Sequence, residues 1–304
     1  MKKLLSLTAI AALMVACGSA ETTEEPGTPG NPVTPTTPAS GVAPEIAGNL
    51  QSVTFDPDAE TLQVTLTSLD GDTASTTYAR DTTYDVPGYI AFVQQDDPLD
   101  RFFTGYAAES ADGSSQAVLV VDGGQFNRFF GGANYVQVGA YTAPDSGLAS
   151  YAGTYVGLLN IGTRDGTLPS AADPDLLPER AGQVTGDVFI NVDFADAAVN
   201  GAITNRVDVD GVGATLDTVV LVDATLAANG SFSGASENTA NDTIGSFAGV
   251  LGGSGATSMS GGIHLTGDFI PGIDNEQEYG IFVLNQCGTA GEAAICAGLD
   301  DVDE

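Results

Sequence analysis

The strongest constraint on the fold of this 304-residue chain is an alternation of apolar and polar residues with a period of two. In the segment VTGDVFINVDF (184–194) one face is apolar, comprising Val184, Val188, Ile190, Val192 and Phe194. The next segment, VNGAITNRVDVD (199–210), repeats the pattern, with Val199, Ile203, Val207 and Val209 on the apolar face. Arg206 falls on its polar face. This period predicts β-strands that are packed on one side and wet on the other.

Six further segments of this kind lie between residues 151 and 285, separated by glycine-containing turns: YAGTYVGLLNIG, LDTVVLVDATL, GSFSGAS, IGSFAGVL, GGIHLTG and YGIFVLN. Eight antiparallel strands at hairpin spacing predict a closed up-and-down barrel. Shorter alternating runs in residues 48–146 predict a smaller, more open β unit. The predicted fold is therefore all-β, an eight-stranded antiparallel up-and-down barrel preceded by a smaller β-rich domain. Asp and Asn at mid-strand argue against a transmembrane barrel.

Residues 1–17 predict export and a lipid anchor. Lys2 and Lys3 precede an apolar run that ends at Ala16, which is typical of a secretory signal. The sequence MVAC (14–17) resembles a bacterial lipobox, so Cys17 is predicted to be lipidated and to become the new N-terminus. Gly18 follows it, and the absence of Asp there favours the outer membrane. We therefore expect a lipid-anchored, surface-exposed protein of the outer membrane.

Residues 18–47 predict a disordered tether. They contain six prolines and six threonines and almost no apolar side chains, so they cannot bury enough surface to fold. Proline favours an extended polyproline II conformation of about 3.1 Å per residue. The tether could therefore hold the folded part up to about 90 Å from the lipid.

The charge of the chain excludes one class of partner. Its formal net charge is −32, which becomes −34 once Lys2 and Lys3 leave with the signal, and no other lysine is present. Sequence-independent binding of nucleic acid needs many lysines and arginines to neutralise phosphates. Nucleic acid is therefore excluded as a partner.

The remaining two cysteines predict a disulfide. Cys287 and Cys296 lie nine positions apart, at the start of an acidic C-terminal tail (288–304). Because an exported protein meets an oxidising environment, we expect them to pair. A metal site is the alternative, but no histidine or further cysteine lies nearby to complete it.

A glycine-rich run, GSFAGVLGGSGATSMSGGIHLTG (245–267), raises the possibility of a nucleotide site. A phosphate-binding loop needs a lysine that this part of the chain lacks, and Ser258 stands where a dinucleotide motif needs its third glycine. The glycines are therefore expected to serve tight turns and close backbone approaches. We expect no catalytic residue, cofactor or metal. The enzymatic alternative is a hydrolase that uses His264, the only histidine, or a carboxylate pair.

Two copies of an Arg-Phe-Phe motif are the best candidates for recognition. They occur in DRFFTGY (100–106) and NRFFGGANY (127–135), and the candidate partner-binding residues are Arg101, Phe102, Phe103, Arg128, Phe129 and Phe130. Arginine and aromatic residues are enriched in binding hot spots. The alternative is that these phenylalanines fill the core of the first unit.

Residues 148–287 resemble the barrel domain of transferrin-binding protein B and related surface lipoproteins. The resemblance lies in ASYAGTYVGL, GQVTGDVFINVDFADAAVNGAI, GSFSGAS and the glycine-rich run, although Thr257 and Ser258 stand where the family usually has glutamate. It implies a lipid-anchored barrel beside a β-rich handle domain, which here would be residues 48–146. Larger family members capture host metal-carrier proteins and pass them to an outer-membrane transporter. This chain has room for one handle–barrel unit.

These features together predict a non-enzymatic, surface-exposed binding lipoprotein that captures a protein or nutrient ligand, with an outer-membrane transporter as a further partner. The alternative is a structural or adhesive envelope lipoprotein without a soluble ligand.

Overall fold

The computed structural model describes residues 42–67, 73–124, 128–163, 178–210, 214–267, 269–270, 272–273 and 275–298. The predicted signal, Cys17 and the predicted tether up to residue 41 lie outside these residues. The described elements are the helical turn α1 (Pro44–Ala47), two 3₁₀ helices (Thr82–Tyr84 and Ala294–Gly298) and sixteen strands. The strands are β1 (Leu50–Asp56), β2 (Thr61–Thr67), β3 (Thr73–Arg80), β4 (Ile90–Gln94), β5 (Phe103–Glu109), β6 (Ser115–Asp122), β7 (Gly131–Gln137), β8 (Leu148–Thr163), β9 (Arg180–Asp193), β10 (Ala198–Asp208), β11 (Ala214–Thr215), β12 (Val219–Thr225), β13 (Ser231–Glu237), β14 (Thr243–Gly252), β15 (Ser258–Thr266) and β16 (Gln277–Gln286).

The strands form two antiparallel sheets. Strands β1 to β7 pair in sequence order and curl into a nearly closed sheet, which with α1 we call the handle. Strands β8 to β10 and β12 to β16 form the barrel, which closes because β8 pairs with both β9 and β16. The two-residue strand β11 pairs with the end of β10. The prediction of an all-β chain with an eight-stranded antiparallel barrel after a smaller β-rich unit is confirmed.

The barrel is filled by the apolar face that the sequence pattern predicts. Val184, Val188, Ile190 and Val192 of β9 are buried in one cluster with side chains from the other barrel strands. Val199 and Ile203 of β10 join the same cluster, so the first half of the second predicted strand is also correct. The interior is thus a packed core, as expected for eight strands.

The prediction fails in the second half of β10, where a β-bulge reverses the faces. Thr204 pairs with Asp187 and Val207 pairs with Thr185, so β10 contains one extra residue, and Asn205 there has a φ of 50°. A one-residue shift sends each following side chain to the opposite face. Val209 is therefore 46% exposed, whereas Arg206, predicted to be wet, is 1% exposed.

The folded part begins earlier than the tether boundary at residue 47 predicts. Pro44 occupies the first turn of α1, where its missing N–H costs nothing. Ile46 is fully buried in the apolar cluster that joins the handle to the barrel. The described part of the chain contains no helix long and apolar enough to cross a membrane.

The handle packs against the outer face of the barrel through a shared apolar cluster. Ile46, Leu119 and Tyr135 of the handle are buried there with Leu158 and Ile281 of the barrel. The Tyr89 hydroxyl also donates a hydrogen bond to the carbonyl oxygen of Thr154 (2.7 Å). Because side chains of both sheets are buried in this shared cluster, the handle and the barrel form one continuous structure.

The glycine-rich run forms part of the barrel wall against which the handle packs. A Cβ atom at Gly262 would lie 2.6 Å from Cγ2 of Ile46, and one at Gly252 would lie 2.5 Å from the carbonyl oxygen of Ser114. Real Cβ atoms do not come this close to other heavy atoms. These glycines are therefore required for docking of the handle.

Thr257 and Ser258, which depart from the family pattern, bond to the handle. The Ser258 hydroxyl lies 2.7 Å from the hydroxyls of both Ser114 and Ser115, and Thr257 donates to Asp112 (2.5 Å). Partial burial opposes ionisation of Asp112, but hydrogen bonds from Ser114, Thr257 and Ser110 outweigh it and hold its pKa well below the usual range. A glutamate at position 257 would face this carboxylate.

The predicted disulfide between Cys287 and Cys296 is present, with the two Cα atoms 5.4 Å apart. Cys296 is buried in the second 3₁₀ helix, and the Cys287 N–H donates to the carbonyl oxygen of Ser150 (2.8 Å). The disulfide therefore holds the segment after β16 against the start of β8.

We expect Gly252→Ala to lower the free energy of unfolding by about 1–3 kcal/mol, because the new methyl group would meet backbone atoms of Ser114. Gly298→Ala is the matched control, since a Cβ there would have no atom within 4 Å. Its effect should stay within about 0.5 kcal/mol. Urea unfolding of both variants measures the difference, and equal stabilities would contradict the docking role of Gly252.

Candidate functional site

The handle sheet opens between β3 and β4. Only two residue pairs join these strands, Ala79 with Val93 and Arg80 with Phe92, whereas β3 pairs with β2 along six residues. After β4 the chain turns away in the loop 95–100. There the Gln95 side-chain amide donates to the carbonyl oxygen of Asp100 (2.8 Å). Along the rest of β3, no strand of the described residues pairs with this edge.

A cavity of about 300 Å³ lies at this opening, and we call it the handle pocket. Its lining residues come from β2, β3, the end of β4, the loop between β4 and β5, the start of β5 and the segment before β7: Val64, Leu66, Thr67, Ala74, Thr76, Tyr78, Gln94, Asp96, Arg101, Phe103 and Phe130. Val64 and Tyr78 belong to the handle's own core, with Leu66 and Phe103 packed against it. The handle pocket is therefore the open end of that core.

The floor of the handle pocket is apolar and aromatic. Tyr78 is 4% exposed and meets Phe103 edge to face, with ring centroids 6.3 Å apart. Burial raises the pKa of the Tyr78 phenol far above its usual range, so this group stays neutral at physiological pH. An apolar ligand group would therefore find rigid, uncharged surfaces here.

The wall of the handle pocket carries one positive charge, that of Arg101. Its guanidinium pairs with the buried carboxylate of Asp122 and donates to the carbonyl oxygen of Arg128 (3.1 Å). It also lies over the ring of Phe130, 4.8 Å from the centroid. These contacts hold Arg101 in one position, so little side-chain entropy would be lost when it binds a ligand.

The two Arg-Phe-Phe motifs meet around Asp122, which lies on β6 between β5 and the segment that leads into β7. One oxygen of Asp122 pairs with Arg101, and the other accepts the Phe130 N–H (2.7 Å). The structure thus brings together Arg101, Phe103 and Phe130 at the handle pocket. The repetition places two matching segments on either side of one buried carboxylate.

The other three candidate residues lie elsewhere. Phe129 stacks on Tyr279 of the barrel, with ring centroids 6.0 Å apart, and so belongs to the docking interface. Phe102 is half-buried, and its carbonyl oxygen accepts the Gly123 N–H (3.2 Å). The Arg128 residue is exposed. Phe103 packs against the core of the handle, as the alternative predicts, and the partner-binding role of the six residues stays a prediction.

A second cavity, of about 250 Å³, lies at one end of the barrel, where Arg206, Asp217, Asn238 and Phe269 are among its lining residues. Arg206 donates to the carboxylate of Glu278 (2.5 Å) and to the carbonyl oxygen of Asp217 (2.8 Å). Tyr155 donates to the other oxygen of Glu278 (2.5 Å). Sequence reasoning missed this buried ion pair, because only the bulge in β10 turns Arg206 inward.

We expect Arg206→Met to lower the free energy of unfolding by about 3–5 kcal/mol, because Glu278 would keep a buried charge without its partner. The double variant Arg206→Met with Glu278→Gln should recover most of this loss. Urea unfolding of Arg206→Met, of Glu278→Gln and of the double variant gives the free energies of unfolding for a double-mutant cycle. If the double variant were as unstable as Arg206→Met, the loss would not come from the unpaired charge.

His264, the residue on which a catalytic alternative depends, lies on the outer face of β15. Its ring stacks on Tyr279 with centroids 4.1 Å apart, beside the interface with the handle. Burial lowers its pKa, partly offset by a hydrogen bond with Gln277 and by the charge of Glu45. The described residues contain no group of three His, Cys, Asp or Glu side chains that could hold a metal ion.

His264 should make stability depend on pH. Its pKa is lower in the folded chain than in the unfolded one, so the unfolded state binds the proton first as pH falls below about 6.5. The free energy of unfolding should therefore fall from pH 7.5 to 5.5 more steeply in the wild type than in His264→Phe, which keeps a stacked ring. Parallel pH profiles from urea unfolding would contradict this.

No protein-family model matches the chain, and no curated protein is significantly similar to it. It is similar to solved structures of transferrin binding protein B (TbpB), the family that the sequence motifs resemble. A double mutant of the vaccine antigen from Haemophilus parasuis Hp5 and intact Ap-TbpB, with its N and C lobes, each match with a TM-score of 0.37 and 16% identity. These matches cover 80% of this chain and 54% and 55% of the others.

The isotype 1 TbpB from serogroup B Neisseria meningitidis matches with a TM-score of 0.35 and 16% identity. This match covers 78% of the chain and 52% of the TbpB structure. The chain therefore spans about half the length of the structures it matches.

Proposed function

We propose that this chain is a non-enzymatic binding lipoprotein at the surface of the outer membrane, and that it captures a protein or nutrient ligand in the handle pocket. The observation that carries the proposal is the handle pocket itself, a concave site of about 300 Å³ at the open end of the handle's packed core. A concave apolar site with a few convergent polar groups is the usual form of a ligand site.

The residues around the handle pocket suit recognition. Arg101 is fixed by Asp122, and Phe103 and Tyr78 are fixed against each other. Buried aromatic and arginine side chains with restricted motion are the residue types that contribute most to binding energy. The opposite face of the handle packs on the barrel, which acts as a rigid support.

The proposed location at the membrane surface rests on the N-terminal part of the sequence. Lipid on Cys17 would anchor the chain, and the proline-rich tether would carry the folded part away from the membrane. We propose that an outer-membrane transporter receives the ligand, as the resemblance to transferrin-binding protein B implies. In the alternative role, as an adhesive or structural envelope lipoprotein, the handle pocket would have no ligand.

A matched pair of substitutions on β3 tests the role of the handle pocket. Ala74 lines it, whereas Ala79 lies on the opposite face of the same strand and is also exposed. We expect Ala74→Trp to fill the space and weaken ligand capture at least about tenfold, whereas Ala79→Trp should capture the ligand as the wild type does.

The measurement is quantitative mass spectrometry of proteins and small molecules retained by each full mature chain from the medium or host fluid. Material that is retained by the wild type and Ala79→Trp, but lost with Ala74→Trp, identifies the ligand. Identical retention by all three would reject the handle pocket as the binding site.

A further inference from the structure

We infer that the handle pocket recognises an extended, basic segment of a partner protein, which adds as a strand to the free edge of β3 and places an apolar side chain in the pocket. This inference rests on the proposed function, because it uses the same pocket. It goes further by naming the chemistry and conformation of the ligand. Three features support it: an unpaired strand edge, the pocket beside that edge, and the charge around both.

The direction of the backbone groups defines the free edge. The Asp81 N–H donates to the carbonyl oxygen of Ala91 on β4 (3.0 Å). Backbone groups of alternate residues point to the same side of a strand, so those of Thr73, Ser75 and Thr77 also point toward the β4 side. The pairing with β4 stops at Ala79, so this stretch of edge has no partner strand among the described residues.

Such an edge is a template for another strand. A strand that paired with it would lie about 4.8 Å from β3 and cover the opening of the sheet. The handle pocket lies on the inner side of β3, where Ala74, Thr76 and Tyr78 contribute to its lining. Alternate side chains of the added strand would point to that side. Main-chain hydrogen bonds would then supply affinity, and the pocket would select one apolar side chain.

The charge around the edge selects a basic partner. The exposed loop after β4 carries Asp96, Asp97 and Asp100, and Asp96 also lines the handle pocket. The arginine at the end of β3 and the arginine of the pocket wall already have acidic partners: Arg80 pairs with Glu60 and Asp85, and Arg101 pairs with Asp122. With a net charge of −34 on the mature chain, a second copy of the same chain would be repelled. A cationic segment would be attracted and guided to the edge.

A blocked heptapeptide tests this inference with the full mature chain. Lysine occupies its odd positions, valine its second and sixth positions, and phenylalanine its fourth. A control peptide has the same residues and charge, but its three apolar residues are consecutive. We expect the alternating peptide to bind at least about tenfold more tightly than the control in 150 mM salt, where exposed charge attraction is screened.

Two variants of Ser75 separate strand pairing from other contacts. Ser75→Pro removes an N–H that points to the gap and leaves the pairing with β2 intact, whereas Ser75→Ala keeps the N–H. We expect Ser75→Pro and Ala74→Trp to weaken binding of the alternating peptide at least about tenfold, and Ser75→Ala and Ala79→Trp to change it less than about twofold. In the wild type, the peptide should slow hydrogen exchange of the Thr73, Ser75 and Thr77 amides.

Equal binding of both peptides, or binding that leaves these three amides unprotected, would mean charge attraction alone and would overturn strand addition. Absence of binding would overturn it as well. The exchange measurement needs no variant, so a folding defect in Ser75→Pro does not affect the result. If the peptide fails but Ala74→Trp still loses the ligand captured by the wild type, strand addition is wrong and the handle pocket remains the binding site. If the peptide fails and Ala74→Trp retains the same ligand as the wild type, both proposals fail.

Discussion

The close approach of the handle to a glycine-bearing wall of the barrel is the constraint on which the rest of the structure depends. Gly252 and Gly262 leave room for Ser114 and Ile46, and the apolar cluster between the sheets is buried as a result. One face of the handle is thereby buried against the barrel. The other face must cover its own core by curling, and it does so incompletely, because β4 leaves β3 after two paired residues. The handle pocket is a consequence of this incomplete closure.

Asp122 joins the pocket to this interface. Its carboxylate fixes Arg101 on the pocket wall and the backbone of Phe130 beside it, while the neighbouring Phe129 stacks on Tyr279 of the barrel. A buried carboxylate is stable only when its oxygens are paired. Asp122 takes one partner from each Arg-Phe-Phe segment, so it holds both segments in place. The pocket wall and the docking interface are therefore held by connected contacts, which would keep the ordering cost of ligand binding small.

The barrel could be predicted from the sequence because its signal is local. Period-two alternation along β9 specifies both the strand and its buried face, and the two cysteines that remain after the predicted signal specify their pairing. Arg206 could not be placed, since the bulge at Asn205 depends on how β10 pairs with β9 and leaves no mark on the local pattern. The handle pocket could be predicted from the sequence only in part. The repeated motif indicated Arg101, Phe103 and Phe130, but the role of Asp122 and the opening beside β3 depend on contacts between distant segments.

The proposed function requires that the handle is presented outside the cell. Protease treatment of intact cells, with a C-terminal tag to follow the chain and lysed cells as the control, tests it most directly. The account predicts that the chain is digested in intact cells while a periplasmic marker protein survives. Digestion only after lysis would place the handle pocket in the periplasm and contradict the proposed function.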